Sequence, residues 1–150
     1  MATTFDDVID LALTTIQDYK LNEIYQTNPD NFNIVTEGFL IRGLAEFYNC
    51  KNSLAYDLTN KTFLVELTSM EISILADLWV YEWFMFKIQN VTQIENKVSS
   101  TDFKHYSEAE NLKQKYEYLA RIREKYGQKI VDYNTLNANW SAMGNGDFGV

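Results

Sequence analysis

The sequence predicts a mainly α fold: a helical bundle with a central apolar helix, a small β-hairpin and a long C-terminal helix. Three observations carry this. Apolar residues recur at helical spacing through most of the 150 residues. The stretch opened by Thr68-Ser69-Met70-Glu71 is apolar on nearly every side, as befits a helix covered on several faces. Between Leu54 and Leu67 the helical period gives way to two short runs separated by turn residues.

Taken in order, Thr4 caps a first helix, with Asp7 three residues on and Asp6 beside it at the positive helix end. Phe5, Val8, Ile9, Ala12, Ile16 and Tyr19 keep one face, so this helix is expected from Phe5 to about Tyr19. Asn28-Pro29-Asp30-Asn31 reads as a turn around the sole proline. A second helix follows, with Phe32, Val35, Phe39, Leu40, Leu44, Phe47 and Tyr48 as its stripe. Gly38 and Gly43 either weaken it or let another helix come close. Leu54–Leu58 and Thr62–Glu66 are the expected strands, joined by Thr59-Asn60-Lys61. A lone hairpin is marginal in water, so this one must pack on helices or pair with another chain.

Thr68-Ser69-Met70-Glu71 is a capping box, opening a helix to about Lys87. Ile72, Leu75, Ala76, Trp79, Trp83 and Phe86 lie on one side of it, and Ile74, Leu78, Tyr81, Met85 and Ile88 on the other. A short helix over 90–97 and a loop at Ser99-Ser100-Thr101-Asp102 follow. Ser107-Glu108-Ala109-Glu110 reads as a second capping box, starting a long helix to about Leu136. The chain thus divides into a helical domain, 1–137, and a tail, 138–150. The tail is nearly uncharged yet holds Trp140, Met143 and Phe148, which points to a segment that meets a partner.

Composition narrows the function. Ten Tyr, nine Phe and three Trp are many for one small domain, so some should face a partner. The net charge of −8 argues against a general nucleic-acid binder, which needs Lys and Arg for phosphates. The charge is uneven: residues 1–60 carry nine acids and three bases, whereas 103–137 carry seven bases and five acids. One end can therefore attract the other end of a neighbouring copy. The N-terminus has no basic segment followed by an apolar run, so no signal peptide is expected. Ile72 to Ile88 is interrupted by Asp77, Glu82 and Lys87, so no membrane span is expected either.

The residues offer little for catalysis, and no catalytic residue, metal site or cofactor is assigned. His105 is the single histidine and Cys50 the single cysteine, too few for a Cys/His metal cluster. Gly144, Gly146 and Gly149 have no helix after them to receive a phosphate. Asp77 and Glu82 lie in the most apolar helix and must be paired or neutral. Pairing with Lys or Arg is the expectation, with a carboxylate enzyme as the distant alternative.

The order of elements resembles the head-to-tail connector (adaptor, or head completion) proteins of tailed bacteriophages. The likeness runs over about residues 4–137. It rests on two helices and a hairpin, then Leu67-Thr68-Ser69-Met70-Glu71-Ile72-Ser73-Ile74-Leu75-Ala76 leading into Leu78-Trp79-Val80-Tyr81-Glu82-Trp83. Ser99-Ser100-Thr101-Asp102-Phe103-Lys104-His105-Tyr106-Ser107 and a long polar helix complete it. None of these is a catalytic signature. The resemblance implies a structural virion protein, made in the host cytoplasm and placed in the neck at the head–tail interface. It implies a homo-oligomeric ring, typically of about twelve copies, between the portal protein and the next neck or tail protein. DNA would be passing cargo without specific binding, and no membrane is involved. Since C-terminal segments of such proteins commonly grip the portal, Tyr133, Leu136, Trp140, Met143 and Phe148 become the expected partner-binding residues. Two alternatives stay open: a helical adaptor or regulator that binds one partner without a ring, and another phage neck or tail-completion protein.

Overall fold

A computed structural model describes residues 1–98 and 102–138, with side chains described for 1–90 and 110–138. Its elements are α1 (Phe5–Leu13), α2 (Tyr19–Thr27), α3 (Pro29–Leu44), a 3₁₀ turn (Ala45–Phe47), β1 (Tyr56–Asp57), β2 (Thr62–Phe63), α4 (Ser69–Val98) and α5 (Asp102–Asn137). The protein is mainly α, with a small antiparallel hairpin and a long C-terminal helix.

Thr4 caps α1 as read, and Asp7 completes a capping box with it: the Asp7 amide donates to Thr4 Oγ1 at 3.2 Å, and the Thr4 amide to Asp7 Oδ2 at 2.7 Å. The helix stops six residues earlier than its apolar spacing implies. Thr14 and Thr15 turn their hydroxyls back onto the carbonyls of Leu11 and Ala12, which competes with helix propagation. Asp18 then caps a separate helix, α2, by accepting from the Lys20 amide at 3.0 Å. Ile16 and Tyr19 keep the helical period across a real break. Tyr19 is 87% exposed.

Asn28 caps α3 through the Asn31 amide at 3.1 Å, so Pro29 is the first residue of this helix rather than part of a free turn. Gly43 settles the glycine question at one position. A Cβ there would stand 3.2 Å from Leu78 Cβ, so Gly43 is what lets α3 approach α4 closely. Gly38 has open space around it.

The strands are shorter than their composition suggests, pairing only Tyr56 with Phe63 and Asp57 with Thr62. Asp57 makes the turn, accepting from the Thr59 amide at 2.8 Å and from Asn60 Nδ2 at 2.6 Å. Lys61 takes the left-handed conformation, φ 56°, that closes it. The hairpin does not stand alone. The Phe63 amide donates to the Thr3 carbonyl and the Phe5 amide to the Lys61 carbonyl, both at 2.8 Å, making the N-terminus a third extended segment. Phe5 then stacks on Phe63 with ring centres 5.4 Å apart.

The Thr68–Glu71 box starts α4 as expected. The helix runs on through 90–97 to Val98 as one rod of 30 residues, about 45 Å long. The helix expected over 90–97 is therefore its continuation. Ser107 lies inside α5, which begins at Asp102, so the second capping box is a sequence pattern within a helix and not its start. α5 has 36 residues and spans about 54 Å.

α4 is the central element, packed against α1, α3 and α5. Its residues Ile74, Leu75, Leu78 and Trp79 are fully buried, together with Phe5 and Val8 of α1, Leu40 of α3, and Phe47. Trp79 meets Phe39 edge-to-face at 5.4 Å and donates its indole N–H to the Thr36 carbonyl at 2.7 Å. That bond removes the one polar liability of a buried tryptophan. No helix among the described residues is long and apolar enough to cross a membrane.

Candidate assembly surface

Buried polar groups fix where the surface elements stand. Glu71, third residue of α4, is 1% exposed, and no Lys or Arg pairs with it among the described residues. Four donors surround it. The Thr68 amide at 2.7 Å and Asn52 Nδ2 at 2.9 Å donate to Oε2. The Tyr133 hydroxyl at 2.6 Å and the Cys50 thiol at 3.4 Å donate to Oε1. Burial pushes this carboxyl up, but the hydrogen bonds outweigh it and bring it down to about 2. The Lys51 amide donates to the Tyr133 oxygen at 2.8 Å. One carboxylate thus ties the loop after the 3₁₀ turn, the start of α4 and the end of α5 together.

The same arrangement disposes of Cys50 as a nucleophile. Burial, with the Glu71 charge beside it, raises the thiol to about 11, so it stays protonated and weakly reactive. Asp77 faces Lys125 at 3.2 Å and also pairs with Lys129, both from α5. This is the pairing with a neighbouring helix that its place in an apolar helix demanded. Glu82 is half-buried, and burial raises its carboxyl, with the Arg42 charge acting the other way. Asp77 and Glu82 each answer to a different helix and do not form a common site. Among the described residues no group of three or more His, Cys, Asp or Glu could hold a metal ion. His105 lies in α5, outside the described side chains.

Asp18 has a second duty. Its carboxylate accepts from Trp83 Nε1 at 2.8 Å and pairs with Lys87 at 2.6 Å, pinning the α1–α2 connection to α4. Burial opposes its ionisation, but Lys87 and Trp83 hold its carboxyl below the usual value.

Outside this frame lies the surface. Trp83 and Phe84 are half-buried, with ring centres 5.9 Å apart, and Phe84 meets Tyr118 of α5 edge-to-face at 4.9 Å. Tyr118 is 50% exposed. Lys87, Lys115 and Arg121 stand around this ladder of rings. The exposed acids Asp6, Asp10, Glu23 and Asp30 belong to α1–α3. Ile34 and Tyr48 are also largely exposed.

The five residues expected to bind a partner are placed as follows. Tyr133 points inward, 3% exposed, and its hydroxyl serves Glu71. Leu136 is 74% exposed at the end of α5. Trp140, Met143 and Phe148 lie outside the described residues. The aromatic ladder went unread because Phe84 and Tyr118 fall off the core stripes of their helices. Large rings off the stripe are the signal that could have found them.

No known protein family, no curated protein and no solved structure matches this chain.

Proposed function

We propose that this protein is a structural component of a ring, a head-to-tail connector of a tailed bacteriophage, which contacts neighbouring copies, the portal and the next neck protein. The observation that carries the reading is the presence of two patches of unlike chemistry on different helices. The aromatic ladder Trp83–Phe84–Tyr118, edged by Lys87, Lys115 and Arg121, lies on α4 and α5. The exposed acids Asp6, Asp10, Glu23 and Asp30 lie on α1–α3. A closed ring needs such heterologous contacts, in which one face of each copy meets a different face of the next. Opposite charges on the two faces favour head-to-tail encounter over face-to-face pairing. The polar groups inside the bundle are consumed by structure, which agrees with a part whose work is contact.

The test is to recover the tagged protein from its native source, identify what accompanies it by mass spectrometry, and view the particles by negative stain. Portal and tail proteins in ring-shaped particles are the expected result. Recovery of host enzymes or regulators with a monomer or dimer would overturn it and leave a single-partner adaptor.

A further inference from the structure

Between the α1–α2 connection and the α4–α5 pair lies a cleft of about 470 Å³. Trp83, Phe84 and Ile88 give it an apolar wall, and Lys20, Lys87 and Lys115 stand at its rim. Lys87 is neutralised by Asp18. Lys20 and Lys115 have no carboxylate within ion-pair distance among the described residues. Such a cleft fits an extended peptide that carries large apolar side chains and an acid.

This chain contains a segment of that chemistry. Residues 139–150 hold Trp140, Met143 and Phe148, and Asp147 is their single charged side chain. We propose that the 139–150 segment of one copy lies in the Trp83–Phe84–Lys115 cleft of the next, with Asp147 toward Lys20 and Lys115. Reach favours the neighbour as its source. From Lys115 to Asn137 is 22 residues of helix, about 33 Å. A copy's own tail would need about ten fully extended residues merely to return along α5, so it could bring Asp147 and Phe148 to the cleft but not Trp140 or Met143. A neighbour's tail has no such constraint. The inference rests on the self-assembly part of the proposed function and adds the occupant of one contact.

The test uses the full chain with photoreactive benzoylphenylalanine replacing Trp140 or, separately, Phe148. Ordinary and nitrogen-15-labelled copies are co-assembled, irradiated and digested. Mixed-isotope cross-links to peptides containing Trp83–Ile88 or Lys115 are expected. Lys20→Glu with Lys115→Glu should lower their yield about fivefold, the scale of two exposed ion pairs. Asp147→Lys should restore it. Cross-links to the cleft within one isotope only, cross-links only elsewhere, or yields indifferent to the charge reversal would each overturn the inference. Sedimentation velocity on the same samples separates the two claims. Assemblies without these cross-links overturn the tail contact alone, and a monomer at every concentration overturns the ring as well.

Discussion

Tyr133 donates its hydroxyl to Glu71 across 2.6 Å, joining residues 62 positions apart in the chain. Among the described residues Glu71 has no basic partner, so each of its hydrogen bonds carries part of the cost of a buried charge. A hydrogen bond to a charged group contributes about 1.5–3 kcal/mol. Tyr133→Phe should therefore destabilise the fold by about that much in denaturant unfolding. A loss below about 0.5 kcal/mol would mean that water replaces the phenol.

Acid should act through the same carboxylate. The Glu71 pKa is depressed from an ordinary 4.5 to about 2 in the folded protein. Its contribution is complete above 4.5 and disappears as pH falls from there through about 2. The upper bound is about 3 kcal/mol. Glu71→Gln should flatten that part of the stability curve followed by circular dichroism, and an unchanged acid limb would show that other carboxylates govern it. Asp18, also depressed, contributes with the same sign.

The two glycines of α3 should respond oppositely to alanine. At Gly38 the new methyl meets nothing within 4 Å, so Gly38→Ala should gain about 0.5–1 kcal/mol of helix propensity. At Gly43 the methyl lies 3.2 Å from Leu78 Cβ and 3.5 Å from its carbonyl carbon, atoms of a buried helix that cannot swing aside. Gly43→Ala should cost about 1–3 kcal/mol as overpacking. Thermal melts of both variants decide this, and equal shifts would contradict the close approach.

Removing residues 139–150 should leave the bundle's melting temperature within about 2 °C, because that segment lacks the apolar periodicity of the core helices. The same truncation should abolish assembly in sedimentation. A large fall in melting temperature would instead give the segment a place in the folded core.

How much of this was legible follows from range. The helical class, the cap at Thr4, the box at Thr68 and the hairpin are local patterns, and they read correctly. The end of α1 did not, because Ile16 and Tyr19 preserve the period while Thr14, Thr15 and Asp18 break the backbone. Ser107 misled for the converse reason: a capping box is a side-chain pattern, and it acts only where the backbone leaves the helix. Glu71 was recognised as a cap, but Asn52, Cys50 and Tyr133 reach it from 19, 21 and 62 residues away. No spacing rule connects them. Asp77 sat between: an acid in an apolar helix announces a cation, and only the fold could name Lys125 and Lys129.

The third extended segment, formed by Thr3 to Phe5, also sets an order of events during synthesis. Their backbone partners Lys61 and Phe63 follow them by almost sixty residues. The apolar face of α1 meets α3, the hairpin and α4, so its cover is complete only once α4 leaves the ribosome. Tyr133 closes the structure about 70 residues after Phe63, roughly 4–14 s later at ordinary elongation rates. Until α4 emerges, the nascent chain carries Phe5, Val8 and Ile9 only partly covered. The tie from Tyr133 to Glu71 can form only after α5 has followed.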